Sequence, residues 1–164
     1  MYLPDHDVAL ERLTDAHAEA VLAFERENRA YFALSIADRG DAYFEEFAVR
    51  HAALLAEQEA GICRFHVLVD ATGAVVGRVN LVDLENGSAE LGYRIAEKAA
   101  GKGLATAAVR ALARIAASDY GLTTLRAGTN VSNLASQAVL TRAGFRQVSA
   151  EGDQKTYELR LEDA

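Results

Sequence analysis

The stretch Glu97-Lys98-Ala99-Ala100-Gly101-Lys102-Gly103-Leu104-Ala105-Thr106 joins a segment of strand character to a long helical one. Glycines at such a junction let a ligand approach the backbone closely, and the first helical turn leaves N–H groups and the positive dipole end facing it. The junction reads as a cradle for a pyrophosphate. Two other phosphate loops do not fit. The triphosphate loop G-x-x-x-x-G-K-[ST] needs Gly where Ala96 stands and Ser or Thr where Gly103 stands. The dinucleotide fingerprint G-x-G-x-x-G/A is met in part by Gly101, Gly103 and Thr106, but it belongs to a parallel βαβ unit, and antiparallel strands precede this loop.

Downstream, Leu104, Ala108, Ala111, Leu112 and Ile115 recur at helical spacing, with Arg110 and Arg114 on another face and Gly121 as the stop. Residues 124–129 read as a strand, 133–142 as a short helix closed by Gly144, and 145–149 and 156–161 as two last strands. Upstream, 65–69, the turn 70–73, 74–84, the Asn86-Gly87 turn and 88–95 form an antiparallel meander. Before it come a strand at 8–12 and a helix capped by Thr14, with Ala18, Val21, Leu22 and Phe24 on its apolar stripe. A second helix is expected over 41–59, with Phe44, Phe47, Ala48, Leu54 and Leu55 inward and Gly61 as its stop. The predicted order is β-α-α-β-β-β-α-β-α-β-β: an α+β fold with a mixed, mostly antiparallel sheet flanked by helices.

The 164 residues fit one domain, 1–164, and 51% hydrophobic with 25% charged residues is enough for a packed core. The longest apolar runs, such as 20–24 and 52–56, are five residues, against the roughly 20 a membrane span needs. Residues 1–5 have neither a basic nor an apolar signal region, and Cys63 is the single cysteine, so a reducing cytoplasm is expected. A net charge of −7 argues against a nucleic-acid partner. The charge is uneven: residues 1–86 carry −9 and residues 87–164 carry +2, with eight cations against Glu97 and Asp119 between Arg94 and Arg146. That pattern points to an anionic ligand on the C-terminal half and a cationic one near the N-terminal half.

The chain resembles the GCN5-related N-acetyltransferases, the GNAT superfamily. Lys98-Ala99-Ala100-Gly101-Lys102-Gly103 is similar to the acetyl-coenzyme-A loop [Q/R]-x-x-G-x-[G/A], with Lys in place of Gln or Arg. The departure is mild, because the family loop works mainly through backbone N–H groups. Asn133-Leu134-Ala135-Ser136, followed by Val139 to Phe145, looks like the N-x-x-S and G-F signature of the branch that includes the ribosomal-protein N-terminal acetyltransferases. With the meander and the Ala-Glu-Leu-Gly-Tyr strand at 89–93, the resemblance covers residues 8–161.

The resemblance implies that acetyl-CoA lays its pantetheine arm along Tyr93, Arg94, Ile95 and Ala96. Its pyrophosphate would rest on Gly101, Lys102, Gly103, Leu104, Ala105 and Thr106, with charge added by Lys98 and Lys102. Asn133 and Ser136 would contact it from the next helix, and a backbone N–H near Tyr93 or Ile95 would polarise the thioester carbonyl. The other partner would be a primary amine, a protein N-terminus or a small molecule, attacking the thioester directly. An α-amine of pKa about 7.7 costs about 1 kcal/mol to deprotonate at pH 7, and a Lys of about 10.4 costs about 4.6 kcal/mol. An α-amine therefore asks little of a base. Glu90 is the base expected, through water, and Ser136 the donor to the departing thiolate. A second reading, from another class, is a non-catalytic acyl-CoA-binding or sensor domain.

No metal is expected, because His6, His17, His51 and His66 lack ligand spacing. Strand alternation puts Cys63 and His66 on opposite faces, against a thiol nucleophile. Tyr31, Phe32, Tyr43, Phe44 and Phe47 are candidates for an acceptor cleft, with core packing the expectation for most, and Tyr157 is a further aromatic candidate for the cleft.

Overall fold

The computed structural model describes residues 1–163. Its single sheet is built from β1 (Tyr2–Leu3), β2 (Val8–Arg12), β3 (Arg64–Asp70), β4 (Val75–Glu85), β5 (Ser88–Ile95), β6 (Thr124–Asn130), β7 (Arg146–Glu151) and β8 (Gln154–Arg160). The spatial order is β1-β2-β3-β4-β5-β6-β8-β7. Flanking helices are α1 (Ala18–Glu27), α2 (Arg29–Ala33), α3 (Asp41–Glu45), α4 (Phe47–Glu59), α5 (Leu104–Ser118) and α6 (Leu134–Arg142). The α+β architecture is as predicted. The meander is β3–β4–β5, and the loop after β5 feeds α5 as expected.

Alternation divides the sheet into two faces. Arg78 and Arg94, opposite one another on β4 and β5, both reach Glu25 of α1, so even-numbered β5 residues face the α1–α4 layer. Tyr93 bonds to Ser136 of α6, so odd-numbered ones face α5 and α6. On that second face Ala108, Val109, Ala111 and Leu112 of α5 join Val79, Leu81 and Leu125 in a core from which water is excluded.

The N-terminal helices differ from the prediction. The second helix breaks at Glu46 (φ −103°, ψ 18°) into α3 and α4, and α2 and the short β1 are additional elements. The inward residues of α3–α4 are Tyr43, Phe47, His51 and Gln58, while Ala48 is exposed and Phe44, Leu54 and Leu55 are only partly buried. The cause is a backbone demand that hydrophobicity does not reveal. His51 Nε2 donates to Thr14 O at 3.1 Å. Gln58 donates to Leu13 O and accepts from Phe65 N, both at 2.9 Å. These polar side chains satisfy main-chain groups where β2 has left the sheet, so they turn inward.

Candidate active site

Strands β5 and β6 pair in parallel only at Ser88–Thr124, Ala89–Leu125 and Glu90–Arg126. Past Glu90 they separate, although β5 stays paired to β4 as far as Ile95. The edge of β5 from Leu91 to Ile95 thus has no strand partner on the β6 side, and its main-chain groups are open to a ligand. The wedge opens into a cleft of about 730 Å³, within the usual range for small-molecule sites. Its lining comes from Leu91–Ile95 and Ala127–Asn130, the loop after β5, α6, and Tyr31, Phe32, Ser35 and Ile36 of the N-terminal helices.

At the loop end, Gly103 caps α5 in the left-handed conformation (φ +82°), and Gly101 also has positive φ (+72°). A Cβ at Gly101 would meet nothing within 4 Å, so the backbone there is bare toward approaching groups. The first intrahelical bond runs from Ala107 N to Gly103 O, leaving the N–H groups of Leu104, Ala105 and Thr106 at the unpaired start of the helix. Asn28 buttresses this end: its Nδ2 donates to Phe24 O at 2.9 Å and its Oδ1 accepts from Glu97 N at 3.0 Å.

Of the residues singled out from sequence, Tyr93, Arg94, Ile95, Gly101, Gly103, Leu104, Ala105, Thr106, Asn133 and Ser136 line the cleft together. Four do not. Ala96 is buried and its N–H is already bonded to Val76 O at 2.9 Å, so the ligand edge ends at Ile95. Lys98 and Lys102 are exposed, with Lys102 Nζ donating to Lys98 O at 3.2 Å. Glu90 stands where β5 and β6 still pair, at the closed apex of the wedge on the α1-side face. Asn133 spends its Oδ1 on capping α6, accepting from Ser136 N at 3.1 Å, which leaves its Nδ2 free for a ligand. The Tyr93 hydroxyl donates to Ser136 Oγ at 3.3 Å. Burial pushes the Tyr93 phenol up, opposed by the hydrogen bond with Ser136, so the phenol keeps its proton.

On the α1-side face of β5 lies a constellation that sequence reasoning missed. Glu25, 1% exposed, is held by Arg39 Nε at 2.8 and 3.1 Å and approached by Arg78 at 3.7 Å and Arg94 at 3.5 Å. Arg94 also stands over Phe32, 5.1 Å from the ring centroid. Desolvation first, then the charge of Arg39, press the Arg94 guanidinium below its ordinary value. Arg39 and Arg78 come from the acidic N-terminal half and Arg94 from the C-terminal half, and only Arg94 lines the cleft. The separations of 14, 53 and 69 residues between Glu25 and its partners leave no local signal.

Other expectations resolve plainly. Tyr31 and Phe32 line the cleft, whereas Tyr43, Phe44 and Phe47 pack on one another with centroids 5.1 and 5.8 Å apart. Tyr157 is buried in the core and does not line the cleft. Cys63 turns to Glu57 and His66 to Tyr120, away from each other, and burial pushes the Cys63 thiol up, the wrong direction for a nucleophile. Among the described residues no three His, Cys, Asp or Glu side chains gather to hold a metal, and no helix is long and apolar enough to cross a membrane.

A model of the acetyltransferase (GNAT) domain matches residues 7–146. A curated relative, the uncharacterized N-acetyltransferase p20 of Bacillus licheniformis, is 42% identical over 64 residues; the match spans 38% of this chain and only 33% of that protein. The ribosomal-protein-S5-alanine acetyltransferase of Vibrio fischeri superposes with a TM-score of 0.87 at 19% identity, covering 96% of this chain and 94% of that one. Mycobacterium smegmatis RimJ, solved with CoA-disulfide, gives 0.85 at 21% identity over 99% and 86% of the two chains. At such identities the two structures speak for the fold alone. The family match, in contrast, takes in the meander, the wedge, the glycine loop and α6, and by it the chain belongs to the GNAT acetyltransferase family.

Proposed function

We propose that this acetyltransferase moves an acetyl group from acetyl-CoA to a primary amine, with a protein N-terminal α-amine as the preferred acceptor, by direct attack in a ternary complex. The observation that carries the reading is the unpaired edge Leu91–Ile95 opening beside the amides of Gly101–Thr106. A pantetheine arm is a chain of amides that pairs with such an edge as an extra strand would, and a pyrophosphate suits the start of α5. Donors from β5 are then placed to polarise a carbonyl lying along the strand. The amine nitrogen forms the new bond to the acetyl carbon, the carbon–sulfur bond breaks, and CoA leaves as the thiol once a proton reaches its sulfur. In this reading Ser136 Oγ–H hydrogen-bonds to the departing sulfur, Glu90 takes through water the proton that the amine gives up, and the sulfur receives its own proton from solvent. The unpaired Cys63 thiol suits a reducing compartment, so the cytoplasm is the proposed place of work.

The test is thiol release from acetyl-CoA with a panel of primary amines, together with detection of the acetylated product. Acceptor-dependent release supports transfer. Thermal stabilisation by acetyl-CoA without thiol release for any amine overturns it in favour of a binding or sensor domain.

A further inference from the structure

Three guanidiniums converge on the single carboxylate of Glu25, which leaves two positive charges in excess in a largely buried cluster. Neighbouring acids make up at most one of those two charges, the one that Asp38 and Asp41 leave over from their shared partner Arg29. Asp38 and Asp41 are both bound by Arg29 at 2.8 Å, and Glu46 pairs with Arg50 at 3.7 Å. Only Arg39 has short contacts to Glu25; the approaches of Arg78 and Arg94 exceed the length of a charge-assisted hydrogen bond. Charge withdrawn from water without a matched partner is costly, so an anion arriving here is favoured. Arg94 is the member of the trio that lines the cleft.

A second observation fixes where that anion belongs. Glu90, Gly92 and Arg94 share the α1-side face of β5, and a Cβ on Gly92 would meet nothing within 4 Å. Gly92 therefore leaves an open floor between a carboxylate and a guanidinium whose Cα atoms lie about 13 Å apart, at about 3.3 Å per strand residue. A molecule bearing an amine at one end and an anion at the other complements that floor in both charge and direction.

We propose that the acceptor is a primary amine that also carries a carboxylate, received by Arg94, with its amine end toward Glu90. This deepens the acetyl-transfer reading and rests on it. The carboxylate comes either from a free amino acid or short peptide terminus, or from an acidic side chain next to a protein N-terminus. A polycationic amine is disfavoured at the same place.

The experiment compares kcat/KM at saturating acetyl-CoA for the dipeptide Ala-Ala, its C-terminal amide, the tripeptide amide Ala-Glu-Ala-NH2 and spermidine. At least one carboxylate-bearing acceptor is expected to exceed both the dipeptide amide and spermidine by about 10-fold or more, as a charge-assisted contact implies. Which one does so separates the terminal from the side-chain source. Arg94→Gln should bring that ratio close to one, and Arg94→Lys, which keeps the charge, should retain most of it. Equal use of acid and amide, or a preference for spermidine, overturns the inference. A second measurement does not depend on turnover: titration of the CoA-loaded chain with N-acetylglycine and with N-acetylglycinamide. Binding of the acid alone, lost in a folded Arg94→Gln variant, supports the inference; equal binding of the two, or binding of neither, overturns it. Failure of all four amines to accept acetyl while the acid still binds overturns acetyl transfer and leaves the carboxylate site standing.

Discussion

Tyr93 on β5 and Ser136 on α6, 43 residues apart in the chain, are joined by a 3.3 Å hydrogen bond that ties the two walls of the cleft together. Because the half-buried phenol keeps its proton and donates a hydrogen bond to Ser136 Oγ, the serine's own proton is left to point elsewhere. The pair thus holds a hydroxyl donor beside the place where the sulfur of acetyl-CoA is expected.

Ser136→Ala should lower kcat about 10- to 100-fold while leaving the apparent affinity for acetyl-CoA little changed, because it removes a donor that acts on the leaving group. Tyr93→Phe should cost less, and the double variant should be no worse than Ser136→Ala alone. Steady-state kinetics on the four proteins of this cycle check the coupling; independent, additive losses would show that Tyr93 does not act through Ser136.

Ala105 lies in the first turn of α5 and lines the cleft, and its helical backbone accepts Glu without strain. Ala105→Glu should therefore fold normally yet repel the pyrophosphate. Acetyl-CoA at about 100 times its Kd should stabilise the wild type by about 2.7 kcal/mol, with ATP and NAD giving no comparable effect, and should not stabilise the variant. Thermal or chemical denaturation with each ligand checks this, and unchanged stabilisation of the variant would move the cofactor away from the loop.

Glu90→Gln keeps the shape at the apex of the wedge but cannot take a proton. Turnover should fall about 100-fold at neutral pH if the carboxylate serves as a base through water. The deficit should shrink near pH 8 for an α-amine and only near pH 10 for a Lys, as the nucleophile loses its proton unaided. Rate profiles on a peptide with a free N-terminus and on an N-blocked Lys peptide report both points; an unchanged profile would remove Glu90 from the reaction.

His66 gives a prediction about stability. Burial lowers its pKa from 6.5 to about 4, so between those values the unfolded chain binds a proton that the folded chain does not. The stability held by neutral His66 is complete above pH 6.5 and drains away as pH falls toward 4. The total is roughly 3 kcal/mol, lost at no more than about 1.4 kcal/mol per pH unit. His66→Gln should flatten this limb relative to wild type, as read from urea unfolding at several pH values between 7 and 4.

The glycine junction, the meander and the cap of α6 are written in the chain because each depends on a few adjacent residues. Gly101 and Gly103 have the positive φ that a tight strand-to-helix entry needs, and Asn133 bonds to the amide three residues on. Alternation and helical periodicity, both local, gave β2 to β8 and α5 to within a few residues. The same reasoning failed on α3–α4, where apolar spacing favoured Ala48 and the structure buried His51 and Gln58 instead. Their role is to bond the stray main chain of Leu13, Thr14 and Phe65, and the need for it arises only when distant segments meet.

The sequence by itself determined the element order, the loop that marks the family and most of the residues along one side of the cleft, since backbone geometry and side-chain periodicity act over a handful of positions. The tertiary structure decided what the cleft is. It set the point, just past Glu90, at which β5 parts from β6; it took Ala96, Lys98 and Lys102 out of the cleft; and it drew Arg39, Arg78 and Arg94 around Glu25. Strand separation depends on the twist and pairing of the whole sheet, and the worth of a charge depends on its distance to others and on how much water lies between them. Neither quantity exists until the chain has folded.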